Sequence, residues 1–275
     1  MDIKAENIKV FNDTLKQISS DTTLGKSVTA SISDAKIYLD TDMAANPYDM
    51  GKLTKVGPAV VKVTKNSSFN AARAYSGKVA VLNFASATNP GGGVTKGSNA
   101  QEESLCRCST LYPVLTDPSF HNKFYQYHRE HGNALHNNDI IYTPNIYVIK
   151  SDSYTNLFRP SVVNVITCAA PNLRETPANA YNHERGERPH ISDASLMRLH
   201  EDRARCILRV AAENGNETVI LGAFGCGAFR NKPEIVAKAY KNVLPEFLDY
   251  FKTIEFAVFC GRDTENYEKF KSILG

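Results

Sequence analysis

Two adjacent glutamates, Glu102 and Glu103, lie at the start of a segment with helical spacing. This segment begins at Gln101, and a seven-residue spacer separates it from the glycine run at residues 91–93. Acidic side chains in the first turn of a helix usually do no more than complement its dipole. Consecutive glycines let backbone N–H groups approach a ligand closely, and such a nest of amides suits a phosphate. Because two carboxylates beside a phosphate site would weaken binding, the pattern predicts that they do chemistry.

Hydrolysis of a glycosidic bond is a reaction that needs carboxyl groups. One carboxyl protonates the departing oxygen, and a carboxylate activates water against an oxocarbenium-like centre. Successive residues of a helix point about 100° apart, because the helix has about 3.6 residues per turn. Glu102 and Glu103 therefore cannot easily face each other as acid and base. We expect one of them to act on the bond while the other holds sugar hydroxyls.

A second glycine-rich loop spans residues 222–229, between an apolar run and a helix that begins at Pro233. A helix N-terminus favours an anion, so two such loops at two strand ends predict a diphosphate held from both sides. Either loop alone is also consistent with a simple turn. Two common nucleotide motifs do not fit, because residues 94–98 lack the Walker order and Arg230 replaces the third glycine of the dinucleotide fingerprint. NTP hydrolysis and hydride transfer therefore lose support.

The elements that must position these loops follow from the hydrophobic pattern. Apolar residues three to five positions apart predict a helix over residues 2–20, and residues 28–65 predict short strands and turns. The polar stretch 117–138 predicts surface helix and loop. From residue 78 onward strands alternate with helices. The predicted strands are 78–84, 140–150, 162–167, 217–223 and 254–259, and the predicted helices are 101–115, 192–214, the segment from residue 233 and 267–274.

This alternation predicts one α/β domain, with a sheet between helical layers and an N-terminal elaboration. In open α/β sheets, ligands bind at the carboxyl ends of the strands. Both glycine-rich loops follow predicted strands directly. We therefore expect the two loops and the acid pair to face one crevice.

The composition is that of an ordinary globular protein. Hydrophobic residues make up 42% and charged residues 22% of the 275 residues, which excludes a disordered or fibrous chain. The net charge of +3 is too small to indicate a nucleic-acid partner. No apolar run reaches the roughly 18 residues of a membrane helix, and the polar N-terminus lacks a signal-peptide core, so we expect a soluble, cytoplasmic protein. The six cysteines lack metal-site spacing and are expected to be reduced, buried thiols.

Two coupled motifs resemble those of a known family. The segment NFASATNPGGGVTKGSNAQEES at residues 83–104, followed by CRCSTLYPVL, resembles the signature of bacterial-type poly(ADP-ribose) glycohydrolases, in which GGG, a spacer and QEE stand in that order. The later segments VITCAAPN and LGAFGCGAFRNKPEIVA resemble a core strand and the phosphate loop of that family. The resemblance runs from about residue 70 to about residue 260.

The resemblance implies a fold and an activity. The fold would be a three-layer α/β/α sandwich with a macrodomain-like mixed sheet and an N-terminal helical and strand extension. One catalytic domain would span residues 1–275, with an accessory region at 1–70 and the macrodomain core at 71–275. The activity would be exo-acting hydrolysis of ribose–ribose O-glycosidic bonds, which releases ADP-ribose and needs no metal or other cofactor. The partners would be poly(ADP-ribose) or an ADP-ribosylated protein, without a membrane, and the protein would be a monomer.

The resemblance also implies the roles of the site residues. Glu103 would be the catalytic residue, which protonates the ribose 2′-oxygen and then takes a proton from water, and Glu102 would bind ribose hydroxyls. From burial and a neighbouring carboxylate we expect Glu103 to carry a raised pKa, and we expect Glu102 to be ionised through its contacts with the sugar. Asn89 would orient the distal ribose, and Phe229 would pack against it. The remaining substrate-binding residues would be Gly91, Gly92, Gly93, Gln101, Gly225, Cys226, Gly227 and Ala228.

Two other functions remain open. The same fold and carboxylates could remove single ADP-ribose units from protein or nucleic acid, because only the leaving group differs. A non-catalytic ADP-ribose-binding macrodomain is the third candidate, and the intact acid pair argues against it. The contacts of the adenine are unassigned, although Asn83, Phe84 and Phe259 lie near strand ends. The basic stretch 183–190 is either a solvated loop or a rim that attracts an anionic polymer.

Overall fold

Seven strands form one mixed sheet in the computed structural model, which describes residues 2–45, 49–131, 133–178, 187–261 and 263–275. The strands are β1 (Lys36–Tyr38), β2 (Val60–Thr64), β3 (Val79–Phe84), β4 (Ile140–Lys150), β5 (Asn156–Cys168), β6 (Thr218–Leu221) and β7 (Thr253–Ala257). Their order across the sheet is β1-β4-β5-β3-β6-β7-β2. The strands from β5 to β2 in this order are parallel to one another. At the other edge, β4 pairs antiparallel with both of its neighbours, β5 and β1. Residues 183–186 of the basic stretch lie outside the described residues.

Helices cover both faces of this sheet. A π-helical turn at His121–Gln126 joins the seventh and eighth α-helices. Within the described ranges, no helix has the length and hydropathy to cross a membrane. The α-helices are α1 (Ile3–Ser20), α2 (Thr22–Asp34), α3 (Asp40–Ala45), α4 (Ser68–Ala72), α5 (Gln101–Cys108), α6 (Leu111–Leu115), α7 (Pro118–Phe120), α8 (Tyr127–His131), α9 (Asp193–Glu213), α10 (Pro233–Val243) and α11 (Glu265–Leu274), and short 3-10 turns lie at Met50–Lys52, Val94–Lys96, Leu244–Glu246 and Leu248–Tyr250.

Strand β3 shows how the sheet separates two apolar cores. Its side chains alternate between the two faces, as they must in a strand. Ala80 and Leu82 pack into one core with residues of α9 and α10. Val79 and Val81 pack into the other core with Phe11 of α1 and residues of α5. Helices on both faces of a mixed sheet confirm the predicted three-layer α/β/α sandwich.

The first 70 residues pack as part of the same unit as the rest of the chain. β1 pairs with β4 and β2 pairs with β7, so both edge strands of the sheet come from this region. Helix α1 packs against α5, and the ring of Phe11 lies edge-on to the ring of Tyr112 at 4.8 Å. The boundary predicted at residue 70 therefore does not divide the packing.

Residues 28–34 are helical, so the prediction of strands there is wrong. They continue α2, whose N-terminus is capped by Asp21 through bonds to two backbone N–H groups. Leu24, Ser27 and Ser31 lie three to four positions apart and bury one face of the helix. Two of these three residues are serines, which explains why the apolar pattern did not indicate a helix. Small polar side chains can face a core when they hydrogen-bond to nearby carbonyls.

The stretch 117–138 is predicted at the surface, and this prediction is wrong for its apolar side. The stretch forms α7, the π-helical turn and α8. Most of its polar residues are exposed or half-buried, while three of its aromatic residues lie in the core on the α5 side of the sheet. The high content of polar residues hides this one buried face. The buried members are Phe120, Phe124, Tyr125 and His128.

Three loops leave the same edge of the sheet. β3 ends at Phe84, β5 ends at Cys168 and β6 ends at Leu221, and β3 lies between the other two. The three strands are parallel, with Phe84 paired to Cys168 and Val81 paired to Ile220. Carboxyl ends of parallel strands meet at one edge, where open α/β sheets bind their ligands. The two glycine-rich loops therefore begin side by side, as predicted.

Candidate active site

Glu102 and Glu103 lie in the first turn of α5 and are almost fully buried, with 3% and 7% of their surface exposed. The Glu103 carboxylate accepts the Gly93 N–H at 2.9 Å through Oε1 and the Ala100 N–H at 3.0 Å through Oε2. The second bond is one half of a capping box, since Ala100 is the N-cap and Glu103 is the third helical residue. These bonds hold the carboxylate against the first glycine-rich loop.

The Glu102 carboxyl has a different set of partners. Its Oε2 accepts the Ser86 N–H at 2.8 Å, and its Oε1 accepts the side-chain amide of Asn83 at 3.2 Å. Burial raises the pKa of Glu102 to about 8, and the neighbouring charge of Glu103 adds to this shift. Desolvation outweighs the hydrogen bonds that favour the charged form. The raised pKa therefore lies on Glu102, whereas the prediction places it on Glu103, and ionisation of Glu102 through its sugar contacts stays a prediction.

The triple glycine holds the two acids. The Gly93 N–H donates to Glu103 and the Gly91 N–H hydrogen-bonds to Glu102. The Gly92 N–H donates to a main-chain carbonyl three residues earlier, at 2.9 Å. All three amides are therefore engaged within the protein. The prediction that this run of amides cradles a phosphate is wrong, and contact of the three glycines with substrate through other atoms stays a prediction.

Gly92 is a glycine for steric reasons. Its φ of +58° lies in the left-handed region, which side chains with a Cβ rarely adopt. A Cβ atom at this position would lie 2.6 Å from Oε1 of Glu103 and 3.1 Å from Oε2 of Glu102. The backbone at Gly92 thus packs directly against both acids, and the triple glycine and the acid pair belong to one site.

Gln101, predicted to bind substrate, has both ends of its amide engaged by the protein. Its Oε1 accepts the Phe84 N–H at 2.9 Å, and its Nε2 donates to the Leu82 carbonyl at 2.7 Å and to Ser68 Oγ at 3.0 Å. These bonds tie the first residue of α5 to the end of β3. Gln101 therefore positions the two glutamates that follow it, and its direct contact with substrate stays a prediction.

Asn89 lies in the loop after β3, where Arg129 of α8 holds it. Arg129 Nη2 donates to Asn89 Oδ1 at 3.2 Å, and Nε donates to the Thr88 carbonyl at 2.6 Å. The stretch that carries Arg129 has no motif, so nothing in the sequence points to this contact. The arginine orients the asparagine side chain that is predicted to bind the distal ribose.

The spacer between the triple glycine and the acids is held by Asn7, which lies outside every motif, and by Arg107, to which the sequence analysis gave no role. Asn7 of α1 donates to the Gly97 carbonyl at 3.0 Å. Arg107 of α5 is fully buried and donates to the Ser98 carbonyl at 2.5 Å and to Asn99 Oδ1 at 2.8 Å. The N-terminal helix and a buried arginine therefore set the path of the spacer, and with it the distance between the glycines and the acids.

The second glycine-rich loop keeps free amides that could hold an anion. The N–H groups of Gly227, Ala228 and Phe229 have no hydrogen-bond partner among the residues that the structure describes. Consecutive unpaired amides form an anion-binding nest. The Phe229 ring lies 6.1 Å from the His136 ring and 5.5 Å from the Arg174 guanidinium, so its position is defined by packing. This loop, unlike the first, has the amides that a diphosphate site needs.

Phe84 connects the two loops. Its ring lies 5.5 Å from the ring of Phe224 in the second loop, and a Cβ atom at Gly222 would lie 3.0 Å from it. Its N–H holds the start of α5, as described above. Phe259, two residues beyond β7 at the same edge, is 70% exposed. The acids and both loops therefore share one edge of the sheet, with an exposed aromatic ring beside the second loop.

Where the chain is described, no group of three or more His, Cys, Asp or Glu side chains is arranged to hold a metal. All six cysteines are unpaired thiols. Cys106, Cys108 and Cys168 are buried as predicted, whereas the prediction of burial is wrong for Cys206, Cys226 and Cys260, which are half-buried. Burial raises the pKa of the Cys108 thiol to about 12. Cys226, in the second loop, is half-buried.

We expect the free energy of unfolding to fall as the pH rises from 4.5 to about 8, through the contribution of Glu102. Over this range the folded protein keeps a proton on Glu102 that the unfolded chain has lost. Each pH unit then costs up to about 1.4 kcal/mol, and the contribution is constant at higher pH. Urea unfolding of the wild type and of Glu102→Gln at several pH values measures the effect, which the variant should lack. A parallel pH dependence in the two proteins would contradict the raised pKa.

The fold and the site define a class of protein: an α/β/α enzyme with two buried carboxyl groups beside a glycine-rich anion loop at the carboxyl edge of its sheet. The model of the family described as microbial-type PARG, catalytic domain, matches residues 7–151. The chain belongs to this family. No curated protein matches the chain.

Solved structures of poly(ADP-ribose) glycohydrolases have the same fold. The crystal structure of the enzyme from Thermomonospora curvata matches with a TM-score of 0.85 and 26% identity, over 98% of this chain and 100% of that chain. The same enzyme bound to the inhibitor ADP-HPD matches with a TM-score of 0.81 and 26% identity, over 98% and 99%. The enzyme from Deinococcus radiodurans in complex with ADP-ribose matches with a TM-score of 0.77 and 29% identity, over 89% and 96%.

Proposed function

We propose that this protein is a poly(ADP-ribose) glycohydrolase, which hydrolyses ribose–ribose O-glycosidic bonds and releases ADP-ribose. One observation carries the proposal: two buried carboxyl groups pack on the backbone of Gly92, at the sheet edge where three amides of the second loop have no partner among the described residues. The carboxyl groups suit the glycosidic bond, and the amides suit a diphosphate. The relatives solved with ADP-ribose and with ADP-HPD support the choice of ligand.

Glu103 acts on the scissile bond in this proposal. Its proton passes to the ribose 2′-oxygen of the leaving unit as the bond between that oxygen and the anomeric carbon breaks. The carboxylate so formed takes a proton from water, whose oxygen bonds to the anomeric carbon. The N–H groups of Gly93 and Ala100 orient the carboxyl before the substrate arrives. Glu102 holds the ribose hydroxyls and adds negative charge beside the oxocarbenium-like centre.

Glu102 keeps its proton near neutral pH, because burial raises its pKa to about 8. Ribose hydroxyls that donate to Glu102 replace its lost hydration and favour its ionised form. Substrate binding therefore favours release of the proton from Glu102 into the site.

We expect the activity to fall as the pH rises above about 8, because Glu102 then loses its proton. The value of kcat/KM for the polymer, measured across neutral and alkaline pH, should show a basic limb near this value. Glu102→Gln cannot ionise at this position and should displace or abolish the limb. A rate that stays flat well into the alkaline range would contradict a role for the Glu102 proton.

The substrate distinguishes this function from its two alternatives. Protein that carries automodified poly(ADP-ribose) and protein that carries single ADP-ribose units would be incubated separately with the enzyme. Release of ADP-ribose from the polymer alone supports the proposed function, and its early appearance without oligomers supports exo-acting cleavage. Loss of the single units would indicate a mono-ADP-ribosyl hydrolase. Binding without turnover would indicate a non-catalytic module, although buried acids beside an anionic ligand only weaken binding.

The remaining site residues keep the roles that the resemblance implies, as part of the same proposal. Asn89 orients the distal ribose from its contact with Arg129. A monomeric state and a cytoplasmic location are also proposed, and sedimentation and cell fractionation test them. The residues proposed to surround the diphosphate and the distal ribose are Gly225, Cys226, Gly227, Ala228 and Phe229.

A further inference from the structure

Asn231 bonds the second loop to itself and to the neighbouring segment. Its side chain is buried, with 2% of its surface exposed. Nδ2 donates to the Pro171 carbonyl at 2.7 Å and to the Gly225 carbonyl at 3.1 Å. The main-chain N–H of Asn231 donates to the same Gly225 carbonyl at 3.0 Å. One residue therefore closes the loop and joins it to the segment that follows β5.

Gly225 packs closely on the side-chain amide of Asn231, so the position of this amide determines the path of the loop. Its φ is +76°, and a Cβ atom there would lie 2.6 Å from Nδ2 of Asn231 and 2.6 Å from Cβ of Ala170. The three N–H groups that have no partner in the described part of the chain begin two residues later. Their placement therefore depends on where Asn231 holds the Gly225 carbonyl.

His200 of α9 fixes the orientation of the Asn231 amide. It is 2% exposed, and its Nε2 lies 2.9 Å from Oδ1 of Asn231. Because Nδ2 of Asn231 faces the carbonyls of Pro171, Gly225 and Phe229, Oδ1 must be the acceptor, so the proton of the imidazole lies on Nε2. Nδ1 of His200 is buried without a partner in the described part of the chain. Burial lowers the pKa of His200 to about 4, in agreement with a neutral ring.

We propose that His200 and Asn231 are positioning residues that hold the second loop in the conformation that binds the diphosphate. The inference rests on the proposed function, because it concerns the ligand of the same loop. His200 lies outside every motif that indicated the family, on a helix that packs against the sheet. It acts on the loop through Asn231 and Gly225.

Loss of this pair should change binding more than chemistry. The diphosphate keeps its charge throughout the reaction, so the loop binds the substrate and the transition state equally. Loss of such uniform binding raises KM and the Kd of ADP-ribose but leaves kcat nearly unchanged. A residue that acts on the acid pair would lower kcat instead.

Two amide substitutions at His200 test this role. The glutamine of His200→Gln can place an N–H group near the position of Nε2 and still donate to Asn231, whereas the asparagine of His200→Asn is too short. We expect His200→Asn to raise KM and the Kd of ADP-ribose at least about 10-fold with kcat within about 3-fold, and His200→Gln to rescue both. Calorimetry with ADP-ribose and steady-state kinetics measure these changes. Asn231→Asp, which replaces the donor by an oxygen that faces these carbonyls, should reproduce the loss.

Ile207→Ala is the control for a general loss of stability. Ile207 lies on the same helix and is fully buried in the core, but its side chain has no polar group to bond to the loop. Ile207→Ala should lower Tm without weakening the binding of ADP-ribose. Hydrogen exchange of residues 225–231 should be faster than in the wild type in His200→Asn but not in Ile207→Ala. Unchanged binding in His200→Asn, equal losses in the Gln and Asn variants, or an equal loss in Ile207→Ala would overturn the inference.

Failure of the proposed function would look different from failure of this inference. A wild-type protein that binds no ADP-ribose would contradict the proposed function. Hydrogen exchange of residues 225–231 would then still decide whether His200 and Asn231 hold the loop. Exchange as slow in His200→Asn as in the wild type would contradict the inference alone.

Discussion

Glu103→Gln is expected to lower kcat by at least about 100-fold, the lower end of general acid–base contributions. The amide keeps the size of the side chain but has no acidic proton to donate and no carboxylate to take one from water. The two carboxylate oxygens accept the N–H groups of Gly93 and Ala100, and glutamine has one oxygen for these two donors. We therefore also expect a loss of about 1 kcal/mol in stability. Steady-state kinetics on the polymer and urea unfolding measure the two effects.

Glu6→Gln is the matched control for this prediction. Glu6 is an exposed acid in the first turn of α1, so the same change is made in the first turn of another helix. Its kcat should equal that of the wild type. The Kd of ADP-ribose for Glu103→Gln should stay within a few-fold of the wild-type value, which separates chemistry from binding. Undiminished turnover in Glu103→Gln would remove Glu103 from the catalytic role.

Gly92→Val is expected to abolish binding of ADP-ribose and to lower kcat/KM by at least about 100-fold. The added Cβ would lie 2.6 Å from Oε1 of Glu103 and 3.1 Å from Oε2 of Glu102, so both acids must move. A β-branched side chain at a φ of +58° adds a strain of about 1–3 kcal/mol. The resulting fall in Tm is several degrees. Kinetics, calorimetry with ADP-ribose and thermal unfolding measure the three effects.

Gly25→Ala provides the control for substitution of a glycine. Gly25 lies inside α2, and the nearest heavy atom to an added Cβ is 3.9 Å away. Replacing a helical glycine by alanine stabilises by about 0.5–1 kcal/mol, so Tm should rise slightly and activity should not change. Wild-type binding and turnover in Gly92→Val would show that the triple glycine is remote from the ligand. The shared site would then be disproved.

The acid pair illustrates where reasoning from sequence succeeds and where it stops. Burial and a neighbouring carboxylate are the predicted causes of a raised pKa, and both causes operate in the structure. The prediction assigned the shift to Glu103, whereas the structure assigns it to Glu102. The choice depends on how each carboxyl is buried and which donors it meets, and neither follows from two adjacent letters in a sequence.

The glycine-rich loops make the same point. Their sequences predict close approach of the backbone to another group, and this is confirmed at Gly92 and Gly225. They do not reveal which group approaches. In the first loop the amides hold carboxylates of the protein, while in the second loop three amides remain without partners among the described residues. Identical local chemistry therefore serves two purposes, which depend on what the fold places opposite each loop.

The order of residues along the chain was enough to predict the three-layer α/β/α fold, most strands, the shared sheet edge and the family, because hydrophobic period and motif spacing are local properties. The sequence could not reveal which distant residues hold the site residues in place. Arg129, His200 and Asn7 contact residues that lie between 31 and 90 positions away. Such contacts depend on the packing of helices against the sheet, and a single polar residue on a helix carries no local signal of the distant group that it meets.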